Sequence, residues 1–175
     1  MGVGTVTDVT LDRLGNVLGR ALDGLTREQL VAQPAGRNAN TVAWCAFHLS
    51  RVQDNNYALF AGTKTLWETG WNERFGLSAD FGSGGGMTIE QVRAFDPADA
   101  PTLLAYWQAV RAVTKAYLLR LDEAAIAALR PASPTMRVEE NIATAIARVT
   151  SDCGQHVGQV AYLRGLLDRH GWYGA

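Results

Sequence analysis

The sequence predicts an all-α protein built as a four-helix bundle. Apolar residues recur at three- and four-residue steps in four separate stretches. No stretch shows the strict apolar–polar alternation of a half-buried strand. Helices with one apolar face each bury it by packing on one another.

The first stretch places Leu11, Leu14, Leu18, Ala21 and Leu25 on one face, which predicts a helix near residues 8–24. The second starts near Asn40, read as an N-cap, and carries Val42, Cys45, His48 or Leu49, Val52 and Leu59, over about residues 40–62. An irregular aromatic segment, Trp67 to Asp80, follows, and then the glycine-rich run Phe81-Gly82-Ser83-Gly84-Gly85-Gly86. Met87 to Phe95 reads as a short extra helix. The third long helix starts near Asp99, with Pro101 in its first turn, and runs through Leu104, Trp107, Arg111, Thr114, Leu118 and Leu121, over residues 99–122. The fourth, residues 140–169, carries Ile142, Ile146, Val149, Cys153, His156, Val160, Leu163 and Leu167. His170 reads as a helix-end residue.

The length of 175 residues suits one domain spanning residues 1–175, with enough chain for a sizeable core. A formal net charge of −1 and the lack of a basic patch argue against nucleic acid or an anionic membrane as partner. No apolar run is long enough to span a bilayer, and Met1 to Gly4 lacks the regions of a signal peptide, so a cytoplasmic location is expected. Cys45 and Cys153, far apart in sequence, do not form a disulfide framework. The glycine run lacks the Lys-Ser or Lys-Thr of a phosphate loop and reads as a surface loop or lid hinge. Gly154 and Gly158, inside the fourth helix, suggest close approach of another helix or a ligand.

The chemistry concentrates in His48, Asp152 and His156. His48 sits between Cys45 and Val52 on the inward stripe of the second helix, and Asp152 and His156 share the face of the fourth that holds Val149 and Val160. An aspartate on an apolar stripe needs a partner. A divalent ion bound by both histidines and the carboxylate supplies one, and this donor set suits Zn, Ni, Fe or Mn. Spacing alone leaves other readings open. The histidines could be hydrogen-bonded core residues, and Asp152 could cap a kink or pair with Arg51 or Arg148. Cys45 and Cys153, each three residues before a histidine, could complete a closed tetrahedral zinc site, although Cys153 and Asp152 lie about 100° apart on the helix.

Trp44 ahead of His48-Leu49, with Asp54 a turn or two later, resembles the first metal-ligand helix of the DinB/YfiT-like metalloenzyme family. Asp152-Cys153-Gly154-Gln155-His156-Val157-Gly158-Gln159 resembles that family's second motif, in which His-x-Gly-Gln follows the partner ligand by four residues. Gly70 to Leu77 and Ala161 to Leu167 look like the mycothiol transferase-like branch, and the likeness spans about residues 7–167. Many members carry histidine where this chain has Asp152, and an acidic residue there is similar to the mycothiol-type branch. The resemblance implies a helical bundle, a divalent metal on His48, Asp152 and His156, a small-molecule substrate and a homodimer. It implies three activities: metal-dependent transfer of a thiol co-substrate such as mycothiol to an electrophile, metal-dependent hydrolysis of an amide or ester, or stress-related binding without catalysis. Gln159, one turn beyond His156, is expected to orient a ligand or a metal-bound water. Trp67, Trp71 and Phe75 are expected either to cover the pocket, with Gly82 to Gly86 letting the cover move, or to be core.

Overall fold

Caps and breaks in the sequence set the element boundaries, and the computed structural model describes residues 2–130 and 139–168. Helix α1 runs Val3–Leu22. It begins about a turn before the periodic stretch because it is anchored from the side. Gly4 backs onto the Leu118 carbonyl with no room for a side chain, and buried Asp8 receives Arg111 at 2.6 Å. Helix α2, Arg27–Val31, starts on a capping box of Thr26 and Gln29. Helix α3, Val42–Ala61, is capped by Thr41, whose hydroxyl accepts from Trp44 N. Asn40, read from sequence as that cap, instead turns its amide to the fourth long helix. Gly62 ends α3 in the left-handed conformation, at φ 65°.

A 3₁₀ turn at Trp67–Thr69 and helix α4, Trp71–Arg74, order the aromatic segment. Helix α5, Ile89–Ala94, lies inside the expected short helix and carries its own capping box. Asp99 caps α6, Ala100–Leu118, by accepting from Thr102 N, with proline in the first turn as expected. After α7, Glu123–Ala127, the fourth long helix α8 spans Ile142–Asp168, and Asn141 Oδ1 accepts from Thr144 N at its start. Residue 169 and His170 lie outside the described residues. Among the described residues there is no strand, only one bridge between Leu129 and Asn141.

The long helices form a four-cornered bundle. Helices α8 and α6 each pack on both α1 and α3, which places α1 and α3 on one diagonal and α6 and α8 on the other. Leu11, Leu18, Leu49, Trp107, Val149, Val160 and their neighbours fill the centre. The first two turns of α3 are buried all round, from Val42 to Phe47, because α2, the aromatic segment and the α5 region cover what would otherwise be their outer face. No described helix is long and apolar enough to cross a membrane.

Glu140 ties the start of α8 to the rest of the fold. Its carboxylate accepts from Arg130 and Arg148, each at 2.8 Å, and Arg148 continues to Asn56 of α3. Arg148, and then Arg130, hold the Glu140 pKa below its ordinary 4.5 against the opposing effect of burial. A depressed carboxylate stabilises the fold fully above its unfolded pKa and loses that contribution as pH falls through the folded value. Urea midpoints for the parent and Glu140→Gln are therefore expected to differ at neutral pH and to converge below about pH 4.5. A gap that stays constant with pH would contradict this.

Candidate metal centre

Two helices that face each other across one side of the bundle, α3 and α8, bring His48, Asp152 and His156 together. The i,i+4 spacing on α8 puts Asp152 Oδ1 3.7 Å from His156 Nε2, and His48 Nε2 approaches Asp152 Oδ2 at 4.0 Å from α3. One donor atom from each residue lies within 4.8 Å of the others, and among the described residues this is the cluster able to hold a metal ion. Ligands around a single ion sit roughly 3–4 Å apart, so binding requires a small inward turn of the side chains.

The far side of each imidazole is already engaged. His48 Nδ1 lies 2.8 Å from the Ser83 carbonyl oxygen. A carbonyl only accepts, so Nδ1 carries the proton and Nε2 presents its lone pair toward Asp152. His156 Nδ1 lies 3.2 Å from Gln159 Oε1, which fixes its ring in the same sense. That oxygen also accepts from Asn40 Nδ2 at 3.1 Å and from the Cys45 thiol at 3.2 Å. Gln159 thus holds the His156 ring in place.

Burial lowers the His48 pKa; the Ser83 bond opposes this, neighbouring His156 adds to the lowering, and Asp152 opposes it. A neutral imidazole is the form that binds a metal. Asp152 Oδ2 is buried without a hydrogen-bond partner, although its side chain as a whole is 31% exposed. A buried carboxylate oxygen without a donor is the position a cation would satisfy. The residues present fit a divalent ion in three respects: two Nε2 lone pairs, an orphaned carboxylate oxygen, and outer hydrogen bonds that hold both rings.

Arg51 and Arg148, the other partners considered for Asp152, are engaged elsewhere, with Asp54 and Phe81 O and with Glu140 and Asn56 respectively. The cysteines stand outside the cluster. Cys45 points to Gln159, and Cys153 lies 3.8 Å from Leu49 O and from Gln53 Oε1. Burial pushes the Cys45 thiol up to about 12, and Cys153 is raised too, again chiefly by burial. A thiol-specific reagent at about pH 8 is expected to leave both unmodified in the native protein and to titrate both after denaturation. Rapid native modification of either one would overturn the buried placement.

The aromatic segment lies elsewhere than a cover. Trp67 is fully buried and packs on Phe47, Phe75 and Tyr106; Phe75 packs on the same rings, and half-buried Trp71 lies against Tyr106. Of the two roles expected for these rings, the structure places them as core. The histidines are flanked by Trp44, whose ring stacks on His48 at 4.6 Å and meets the edge of His156 at 5.4 Å. The glycine loop contributes backbone. Gly84 O accepts from Trp44 Nε1 at 3.2 Å, and Gly84 has φ 83° with its missing Cβ only 3.0 Å from that nitrogen. The loop is therefore part of the wall of the site. Trp44 was detectable as an i−4 neighbour of His48, whereas the Ser83 carbonyl leaves no trace in residue type. Gly154 would meet only Leu14, at 4.0 Å, and Gly158 nothing within 4 Å, so neither marks a close approach.

The sequence profile described as the DinB superfamily matches residues 10–160. No curated protein matches the chain significantly. A solved structure described as the conserved protein of locus from Enterococcus faecalis superposes with a TM-score of 0.82 at 23% identity, covering 97% of this chain and 99% of that one. At that identity the likeness bears on the fold.

Proposed function

We propose, from the premise that the chain belongs to the DinB superfamily, that it is a metal-dependent enzyme joining a small thiol co-substrate of the mycothiol type to an electrophile. Members of the superfamily are often metal-dependent enzymes. The observation that carries the reading is the orphaned Asp152 Oδ2 between two imidazoles whose Nδ1 atoms are tied back to Ser83 and Gln159. His48, Asp152 and His156 would hold the ion. When bound, such an ion supplies Lewis acidity that lowers the pKa of a coordinated thiol or water.

The chain's own residues determine the rest. Three protein ligands leave room for an exogenous group. Trp44 and the Gly84 backbone wall one side of His48 against water, and the part-exposed Asp152 marks the open side. Neither cysteine can act as the nucleophile, because both are buried thiols held in the protonated form. Any reacting sulfur would therefore come from a second substrate. This favours thiol transfer with an external thiol over a covalent cysteine mechanism.

Metal analysis of untagged protein, followed by incubation with mycothiol and a generic electrophile with and without chelator, tests the proposal. Stoichiometric metal and chelator-sensitive conjugation are expected. Bound metal with ester or amide hydrolysis and no thiol consumption would overturn the transferase in favour of a hydrolase. Protein that binds no metal would remove the enzyme reading.

A further inference from the structure

A histidine ligand has two ring nitrogens and must offer the right one. The neutral His48 imidazole carries a single proton, and two acceptors compete for it. One is the Ser83 carbonyl oxygen, 2.8 Å from Nδ1; the other is Asp152 Oδ2, 4.0 Å from Nε2. A proton on Nδ1 leaves Nε2 bare for an ion, whereas a proton on Nε2, drawn to the carboxylate, closes it. The position of the Ser83 carbonyl therefore decides whether the ring is ready for a metal.

That carbonyl sits in a run with little of its own to hold it. Four of the six residues from Phe81 to Gly86 are glycine, the residue that loses most freedom on ordering and brings no side chain to pack. Helix α3 holds the run by its main chain instead. Trp44, His48 and Arg51, spaced by four and three residues along one face, bind the carbonyls of Gly84, Ser83 and Phe81 in reverse order, at 3.2, 2.8 and 3.2 Å.

The Trp44 bond stands beside the one that holds His48. Its indole N–H donates to Gly84 O, one peptide beyond Ser83 O. The indole is buried, and its plane lies 7° from that of His48. Gly84 O also accepts from Met87 N, but that bond closes a turn within the loop and does not tie it to α3. The fit is tight from the loop side as well. Gly84 has φ 83°, and a Cβ there would lie 3.0 Å from the indole nitrogen. Stacking on His48 needs only a ring; holding Gly84 O needs the N–H.

We infer that Trp44 is a positioning residue for the metal centre: its indole N–H sets the Gly84–Ser83 main chain so that Ser83 O, and not Asp152, takes the His48 proton. The inference rests on the metal-centre reading for its consequence, but the tautomer is readable in metal-free protein, so the two fail separately. Coupling of this kind is reciprocal. An ion on Nε2 excludes the wrong tautomer and so tightens the Ser83 and Gly84 bonds in return.

Nitrogen-15 shifts of the His48 ring in the chelated full chain show which nitrogen carries the proton, and competition titration gives zinc affinity. In the parent, Nδ1 is expected to be protonated and Nε2 bare, and bound zinc to slow exchange of the Trp44 indole proton. Trp44→Phe keeps a ring beside His48 without the N–H, and Gly84→Ala displaces the carbonyl with the indole intact. Both are expected to mix the tautomers and to weaken zinc about tenfold, the lower end for outer partners of a ligand, with the helical circular dichroism unchanged. Gly82→Ala, where a Cβ meets nothing within 4 Å, is expected to match the parent. If Trp44→Phe does not fold, Gly84→Ala decides. A proton on Nε2 in the parent, a parent-like tautomer or zinc affinity in Gly84→Ala, indole exchange unmoved by bound zinc, or an equal effect of Gly82→Ala would each overturn the inference. Protonation at Nδ1 that is lost in Trp44→Phe or Gly84→Ala, in protein that takes up no zinc, would uphold the role of Trp44 and sink the metal centre.

Discussion

His156→Ala is expected to abolish stoichiometric zinc binding and every metal-dependent activity while the helical fold persists. The imidazole is one of three donors, and removing it leaves His48 and Asp152 on separate helices with two contacts to offer an ion. Loss of an outer partner alone typically weakens metal binding by roughly 10–100-fold. Gln159→Leu, which frees the His156 ring from its acceptor, is expected to fall in that range, and His156→Ala beyond it. The structural cost is small. The substitution removes one 3.2 Å hydrogen bond and edge contacts with Trp44 and His48, on the order of 1 kcal/mol in all. Competition titration with a zinc chelator and thermal unfolding separate the two effects. Parent-like zinc affinity in His156→Ala would remove this residue from the ligand set, whatever its effect on activity.

The largest stability effect is expected at Asp54, which lies in the same motif as His48 but outside the metal cluster. Its carboxylate is buried and accepts from Leu66 N and Trp67 N, each at 2.9 Å, and from the Tyr106 hydroxyl at 2.7 Å. Arg51 stands 3.6 Å away and lies over the Trp67 ring at 4.6 Å. The aspartate thus pins the aromatic segment to α3 and α6. Asp54→Ala leaves two backbone N–H groups and a hydroxyl without their acceptor, and the Arg51 guanidinium without its counter-charge, in a water-poor interior. A loss of about 3–5 kcal/mol is expected, lowering Tm by roughly 10 °C. Asp54→Asn keeps one acceptor oxygen and should lose less. Urea unfolding followed by tryptophan fluorescence reads both, and a loss below about 1 kcal/mol in Asp54→Ala would contradict the network.

The four long helices were legible because each buries one stripe over most of its length, and burial imposes a 3.6-residue period on apolar residues. Asp99 with its following proline was legible as a cap because that chemistry is local. The cap of α3 was misassigned by one residue. Thr41 and Asn40 are both good caps, and the choice was made by a remote partner, since Asn40 is drawn to Gln159, 119 positions away. The early start of α1 had the same kind of cause, an ion pair with Arg111 and a backbone contact with Leu118 across the bundle.

For the site, residue types and the four-residue step on α8 were sufficient to single out His48, Asp152 and His156, because helical geometry puts i and i+4 on one face. Periodicity alone determined that these side chains point into the bundle. It could not determine which way each imidazole turns, because that is set by acceptors the pattern does not contain: a main-chain carbonyl at Ser83 and an amide oxygen shared by Asn40, Cys45 and His156. Nor could it separate a wall of the site from core. Trp67 and Phe75 are buried among Phe47 and Tyr106, while the glycine loop, which reads as a hinge, lies against Trp44 and His48. Side-chain period is a property of one helix at a time, but ring orientation, cysteine exclusion and the walls of the site depend on contacts between segments 35 to 119 residues apart, and those exist only once the bundle has closed.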